Sequence, residues 1–548
     1  MCGIFFTTTN TYDNDKVHLL AARGPDAKKK IHREGTTWFF FRLAIQDTSH
    51  LGMQPWETKD FIFMANGEIY NSAHLRTYFT PSLFKSTSDC EVVPHVIEKF
   101  GIKTALSMIE GVFAFVYLDK KTKRFIVARD ALGIKSLYVS ASDHSVGSHR
   151  EQINITVSSE LKAFNLRSAV EHSRPEADGN HGTGSLPVRQ FPAGHFYDST
   201  TRSLTQWHNL KWSPRTVYPL AQYFDTDIFQ TLRCLLKKAT LTRLETSDRE
   251  VGCFLSGGLD SSIVAALAQQ EAHLAGVRLK TFSVGMEGAT DLIAARKVAQ
   301  WIQSDHHEVV FSEKEMIEAI PKTIKRIESY DLTTVRAATG MVLLSDYIAK
   351  NTQVKVVFSG EGADELSGSY RYFRNAPSPQ DLQDESVRLV QDLQYFDILR
   401  CDKSVSGAGL EARTPFFDMN FVDWYMRINP SLKCSRSQIE KKLIRDAYAH
   451  SDLLPPEILK RGKEAFSDGC STMNKPWFKI IQDHCENTIS NEEFEEGRKK
   501  FVWLTPQTKE AYWYRTIFET WYPGQAMVVP YMWLPKWTTQ KDPSARLL

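Results

Sequence analysis

The stretch Phe254-Leu255-Ser256-Gly257-Gly258-Leu259-Asp260-Ser261-Ser262 concentrates residue types that hold a phosphate. Two glycines allow a tight turn and serine hydroxyls surround it. The backbone N–H groups at the start of a following helix would point outward with the favourable end of the helix dipole. The lysine of a Walker A loop is missing; Asp260 instead sets a carboxylate where a phosphate-bound Mg²⁺ would sit, which suits release of pyrophosphate. An ordinary serine- and glycine-rich turn has the same composition, so the rest of the chain must decide. A second loop, Ser359-Gly360-Glu361-Gly362-Ala363-Asp364-Glu365, sets acidic and hydroxyl side chains among glycines. That pattern suits Mg²⁺ coordination and close approach of a nucleotide, or a solvated acidic turn. At the other end, Cys2 follows Met1. If Met1 is removed, the α-amine of Cys2, with a pKa of roughly 8, can take the proton of its own thiol, so nucleophile and base share one residue. A core cysteine is the alternative reading.

Cys2 needs supporting groups, and the chain supplies three in order. Arg42, in Phe41-Arg42-Leu43-Ala44-Ile45, is a cation on an apolar strand, able to clamp a carboxylate bidentately or to sit exposed at the strand end. Met64-Ala65-Asn66-Gly67-Glu68-Ile69-Tyr70 reads as a strand ending in a glycine turn. There the Asn66 amide and the Gly67 N–H could form an oxyanion hole, or Asn-Gly could be a hairpin turn. Asp89, in Ser88-Asp89-Cys90-Glu91, could receive an ammonium group or cap a helix.

The elements that must position the phosphate loops follow from periodicity. Val251 to Leu255 is strand-like and Ile263 to Leu267 continues as a helix, so the first loop joins a strand to a helix. Leu279 to Val284 and Val354 to Phe358 are further apolar strands, the first ending before Gly285 with Asp291 nearby. Amphipathic helices, beginning with Phe224 to Arg243, alternate with them, which predicts a parallel sheet whose ligands bind at the carboxyl ends of the strands. Three strand ends would then converge on one crevice. His306 and His307 are adjacent on a strand and face opposite ways, which suits structural roles and not a shared metal.

At 548 residues the chain is too long for one core and predicts at least two domains. The net charge of +2 gives no footprint for nucleic acid. Eight cysteines without a CxxC pair read as reduced thiols of the cytoplasm. No uncharged run reaches membrane-spanning length, so no membrane role is expected.

Cys2-Gly3-Ile4, Arg23-Gly24-Pro25-Asp26, Arg42-Leu43, Asn66-Gly67-Glu68-Ile69-Tyr70, Ser88-Asp89-Cys90-Glu91, Gly111-Val112-Phe113-Ala114-Phe115 and Arg129-Asp130-Ala131-Leu132-Gly133 resemble, in that order, the class II glutamine amidotransferase domains. The resemblance implies an N-terminal-nucleophile αββα sandwich of antiparallel sheets over residues 2–210. It makes Cys2 the nucleophile that forms a glutamyl thioester. Arg42 would bind the glutamine carboxylate, Asn66 and Gly67 the oxyanion, and Glu68 and Asp89 the head group. The chain departs from the pattern at Ala22, where histidine is common, and at Ser136, where proline is usual. The segment from Ser168 to Arg189 is longer than usual and, rich in Gly, Pro and His, reads as a surface loop.

The second part, 211–548, is similar to the ATP pyrophosphatase domains, an α/β parallel-sheet fold with additional helices. With the first part, it resembles the family of glutamine-hydrolysing asparagine synthetases. The likeness extends through Tyr330-Asp331-Leu332-Thr333-Thr334-Val335-Arg336, Gly409 to Asp418, Lys463 to Gly469 and Asp542-Pro543-Ser544. It implies that ATP lies against Leu255, Ser256, Gly257, Gly258, Asp260, Ser261, Val284, Ser359 and Gly360, with Mg²⁺ on Asp260 and Asp364. Glu361 would orient the activated aspartate or assist deprotonation of ammonia, and Lys463 would stabilise charge on the phosphates. Thr333, Thr334 and Arg336 would form the aspartate site. The family further implies a homodimer. A β-lactam synthetase would lack the terminal cysteine and the glutamine set. A phosphoribosyl amidotransferase would share only the first part, and a catalytically silent sensor would need neither nucleophile nor acid cluster.

Overall fold

The computed structural model describes residues 1–144, 152–166, 188–210, 212, 227–434, 439–540, 542–544 and 546. The segment expected to be a surface loop lies almost wholly outside these residues, as do Phe224 and position 211, next to the expected boundary.

The N-terminal part forms twelve strands: β1 (Gly3–Thr7), β2 (Ala27–Arg33), β3 (Thr36–Arg42), β4 (Trp56–Glu57), β5 (Phe61–Ile69), β6 (Gly111–Asp119), β7 (Phe125–Arg129), β8 (Tyr138–His144), β9 (Gln152–Ser158), β10 (Arg189–Gln190), β11 (His195–Asp198) and β12 (Ser203–Gln206). They make two six-stranded sheets, ordered β10-β8-β9-β1-β3-β2 and β12-β11-β7-β6-β5-β4. Every pairing is antiparallel. Strand alternation explains the stacking. Ile4, Phe6, Trp38 and Phe40 point inward and meet Ile62, Met64, Ala114 and Val116 of the other sheet. Their neighbours Phe5, Phe39 and Phe41 point outward against Val17 and Leu20. The outer face of the second sheet, Phe61, Phe63 and Phe115, is covered by Val92, Val93, Val96 and Ile97 of helix α1 (Val92–Phe100). The expected four-layer sandwich is therefore present.

The C-terminal part is built on β13 (Val251–Phe254), β14 (Lys280–Gly285), β15 (Asp305–Val310), β16 (Val356–Phe358) and β17 (Glu411–Arg413). These form a five-stranded sheet ordered β15-β14-β13-β16-β17, with all pairs parallel. The helices that matter for the site are α2 (Ile228–Glu245), α3 (Leu259–Leu274), α4 (Thr290–Ile302), α5 (Leu332–Asn351), α6 (Ala363–Ser367), α7 (Asp397–Ser406) and α8 (Lys442–Tyr448). The chain leaves β13 toward β14 on one side and later returns to its other side as β16, so the strand order reverses between β13 and β16. Loops after these two strands line a crevice at the carboxyl ends of the strands. Strand β17 was not expected from the sequence: it is three residues long and its run Glu411-Ala412-Arg413 has two charged residues, yet all three are buried. Among the described residues no helix is long and apolar enough to cross a membrane, and all eight cysteines are free.

Candidate active sites

The first site lies at the edge of the antiparallel sandwich. Cys2, Arg42, Asn66, Gly67, Glu68 and Asp89 line one pocket. Cys2 precedes β1, and its Sγ lies 3.7 Å from the Leu43 carbonyl. Burial pushes its thiol pKa up, with the terminal ammonium opposing. Arg42 is the last residue of β3, but it is buried and not exposed at the strand end. Its guanidinium donates to the backbone carbonyls of Ser49 and Asp47. Gly52 makes room for it, since a Cβ there would fall 2.3 Å from the guanidinium.

Asn66 and Gly67 do not form a turn. They sit within β5, opposite Ala114 and Phe113 of β6. The hairpin alternative fails because the nine-residue strand continues through Ile69. Gly67 is glycine because β6 approaches closely: a Cβ would lie 2.4 Å from the Val112 carbonyl oxygen. Asn66 is fully buried, and neither its Oδ1 nor its Nδ2 has a partner among the described residues. An unpartnered buried amide costs about 1–3 kcal/mol, and this one lines the pocket that holds Cys2, where a bound group could satisfy it.

Asp89 is not a helix cap either; Ser88 holds the cap position of the short turn. The Asp89 carboxylate accepts the Ile69 N–H at 2.5 Å. Burial raises its pKa to about 6 against the pull of backbone hydrogen bonds from Ile69 and Cys90. Glu68 is pushed well above the usual carboxylate range by burial and by Glu411, with Arg413 opposing. Glu411 and Arg413 belong to β17 of the C-terminal part; Glu411 lines the Cys2 pocket and Arg413 Nη2 sits 3.0 Å from Glu68 Oε2. Nothing in the residue pattern signals that β17 of the second part reaches this pocket.

The second site fills the crevice between β13 and β16. Leu255, Ser256, Gly258, Asp260, Ser261 and Val284 line it from one side. Ser359, Gly360, Glu361 and Asp364 line it from the other, together with Thr333 and Lys463. Gly257 lies behind the loop at φ +70°, and a Cβ would strike the backbone of Ala294 in α4 at 2.4 Å. At Gly360 a Cβ would meet the Ser261 nitrogen at 2.5 Å, so the two loops touch. The first turn of α3 holds Asp260 and Ser261, with the Ser261 and Ser256 hydroxyls 3.0 Å apart.

Asp260 and Asp364 converge on Lys441, which lies at the start of α8 in the left-handed conformation, φ +60°. Its Nζ contacts Asp260 Oδ2 and lies 2.7 Å from Asp364 Oδ1. Lys463 contacts the other oxygen of Asp364. Burial would raise the Asp364 pKa, but Lys441 and Lys463 outweigh it and hold the carboxyl well below its usual range. Asp260 is raised by burial, against Lys441. Its Oδ1 is buried without a partner among the described residues. Two close carboxylates, one with a spare oxygen, fit a Mg²⁺ ion bound mainly to phosphate, which needs only one or two protein carboxylates. Glu361 accepts from Arg400 Nη2 at 2.9 Å, and burial raises its pKa with Arg400 opposing. Lys441 and Arg400 were missed in the sequence because a charged residue beside Lys442 or on an amphipathic helix looks like a solvated surface group.

The structure does not bring Arg336 or Thr334 into this crevice. Arg336 is 3% exposed and pairs with Glu510 at 2.6 Å and Asp542 at 2.8 Å. The Thr334 hydroxyl donates to Asp331, the N-cap of α5, at 2.8 Å. Thr333 alone of the three faces the crevice, and its hydroxyl is buried without a partner among the described residues. His306 is held by the hydroxyls of Thr281 and Ser283, 2.9 and 3.1 Å away, and His307 stacks on Phe282, so both serve the sheet.

Comparison with known proteins covers both parts of the chain. A family model described as asparagine synthase matches residues 231–385 and 374–542, and one described as a glutamine amidotransferase domain matches residues 1–206. The glutamine-hydrolysing asparagine synthetase of Cricetulus griseus is 40% identical over 575 residues, spanning 100% of this chain and 98% of that protein. The enzyme of the same description from Homo sapiens is 39% identical with the same coverage.

Proposed function

Because the chain belongs to the glutamine-hydrolysing asparagine synthetases, we propose that its two sites run one coupled reaction, with the boundary between their domains at 210/211. Glutamine is hydrolysed at Cys2, and the ammonia released is joined to aspartate at the crevice of the parallel sheet, with ATP cleaved to AMP and pyrophosphate. The observation that carries the reading is the unpartnered Asn66 amide beside Cys2 in the same chain as the Asp260 and Asp364 pair held by two lysines.

At the first site, removal of Met1 frees the Cys2 amine to take the thiol proton while Sγ attacks the side-chain amide carbon of glutamine. The Asn66 Nδ2 and the Gly67 N–H receive the oxyanion. Arg42 meets the α-carboxylate and Asp89 the α-ammonium, with Glu68 completing the head-group contacts. Ammonia leaves with the transferred proton, and water cleaves the thioester to glutamate.

At the second site the loop from Leu255 to Ser261 cradles the phosphates at the start of α3. An oxygen of the aspartate side chain attacks the α-phosphorus, and the bond to the departing pyrophosphate breaks. Lys441 and Lys463 offset the charge on the leaving group. Asp260 and Asp364 would hold Mg²⁺, which when bound neutralises phosphate charge. The ammonia nitrogen then attacks the β-carbonyl carbon of β-aspartyl-AMP and AMP leaves; Glu361 orients that carbonyl or takes the surplus proton. Thr333 is the residue of α5 placed to reach aspartate. A silent sensor on this scaffold is not favoured, since a binding module needs no nucleophile beside an empty donor. The reading includes a cytoplasmic setting and a homodimer.

Aspartate labelled with ¹⁸O in its side-chain carboxylate tests the chemistry. One labelled oxygen per turnover should appear in AMP. Label in pyrophosphate or inorganic phosphate, or formation of ADP, would contradict activation at the α-phosphorus.

A further inference from the structure

Helix α7 carries a second chemistry on its reverse side. Residues two apart on a helix point about 200° apart, so Arg400 and Asp402 leave α7 in nearly opposite directions. Arg400 faces the crevice and holds Glu361. Asp402 enters the N-terminal part, where its Oδ2 accepts from both Nη atoms of Arg23, each at 3.1 Å. Arg23 is fully buried and is braced by Glu160 at 3.1 Å. Its remaining donor, Nε, is given to the backbone carbonyl of Cys2 at 3.2 Å.

We infer that Asp402 is a positioning residue for hydrolysis of glutamine, supplied by the synthetase part: through Arg23 it fixes the backbone of the nucleophile. With Glu160 alone, the guanidinium would be free to turn about that one contact and Nε would leave the Cys2 carbonyl. The sequence departure at Ser136 serves the same group. Its hydroxyl lies 3.3 Å from Asp402 Oδ2 and 2.8 Å from the Ser159 carbonyl, and it can take a bond from Arg23 Nη1 at 3.5 Å. Proline at that position could do none of this. Asp402 is not among the residues lining the ATP crevice, so its effect belongs to the first reaction alone. Misplacing a nucleophile by about 1 Å costs on the order of a hundredfold in rate, whereas binding of substrate by other groups is spared.

The test is steady-state glutaminase kinetics of the full chain beside ammonia-dependent asparagine synthesis in Asp402→Asn. The expected result is a kcat for glutamine hydrolysis lowered about ten- to a hundredfold. The KM for glutamine and the ammonia-dependent rate should both stay within about twofold of wild type. Arg23→Lys, which keeps a buried cation but loses the fork that reaches Cys2, should show the same split. Combining it with Asp402→Asn should lower kcat no further than the worse single variant. Unchanged kcat in either single variant, a rise in KM alone, or parallel loss of ammonia-dependent synthesis in both would overturn the inference. It rests on Cys2 as nucleophile, and Cys2→Ala separates the two. Glutaminase surviving Cys2→Ala removes that reading; glutaminase lost there yet intact in Asp402→Asn removes only this one.

Discussion

At the scale of single residues, the account turns on groups whose burial is unexplained until a substrate is supplied. Asn66 is the plainest, with both ends of its amide buried and unpartnered among the described residues. If it donates to the oxyanion, Asn66→Ala should lower glutaminase kcat by about 10²–10³-fold and leave ammonia-dependent synthesis unchanged, measured side by side. Asp89 gives a pH prediction. Its carboxyl is raised to about 6 by burial, and only the ionised form can hold the glutamine ammonium. Protonation therefore removes binding, so kcat/KM for glutamine should fall as pH drops through about 6, and not near 4 where an ordinary carboxylate titrates. Asp89→Asn should flatten that limb at a low plateau. A limb that persists in the variant would assign the titration elsewhere. Asn66 and Asp89 were both legible as candidates from residue type and neighbours. Which alternative held for each was not, because a strand interior and a turn share the Asn-Gly pair, and only the facing strand β6 shows why glycine stands at 67.

At the scale of elements, strand ends do the positioning. The loops after β13 and β16 were readable because glycines and acidic residues interrupt apolar runs, and that contrast is local. The three-residue β17 was not readable, since its burial comes from β16 on one side and from Glu68 across the domain contact. Helix α5 shows the limit from the other direction. Thr333 and Arg336 are three apart and were expected to serve one substrate, but the partners of Arg336, Glu510 and Asp542, lie far along the chain and draw it away. The tail residue Asp542 thereby acquires its purpose as a tie to α5. Arg336→Ala should therefore act on stability, by about 3–5 kcal/mol because the buried Glu510 carboxylate loses its partner and the half-buried Asp542 loses one of its own, read as a lowered denaturant midpoint. A selective rise in the KM for aspartate at unchanged stability would return Arg336 to the substrate site.

At the scale of the whole molecule, the two parts share more than a linker. Glu411 reaches from the parallel sheet into the Cys2 pocket, Arg413 beside it pairs with Glu68, and Arg23 reaches back to α7. The parallel sheet was legible in the apolar strands that alternate with amphipathic helices, whereas the antiparallel sandwich was legible only through the resemblance carried by the motifs from Cys2 to Gly133. The contact surface was not, because its buried charges read as solvated ones until a second domain covers them. The central claim is that one part makes ammonia and the other consumes it. It is tested most directly by Cys2→Ala, supplied with aspartate, ATP and Mg²⁺ and either glutamine or ammonium. Asparagine, AMP, pyrophosphate and glutamate are followed together. Wild type should form all four in equal amounts from glutamine. The variant should form no glutamate and no asparagine from glutamine, yet make asparagine, AMP and pyrophosphate from ammonium at the wild-type rate. Loss of synthesis from both nitrogen sources, or glutamate still released by the variant, would contradict the account.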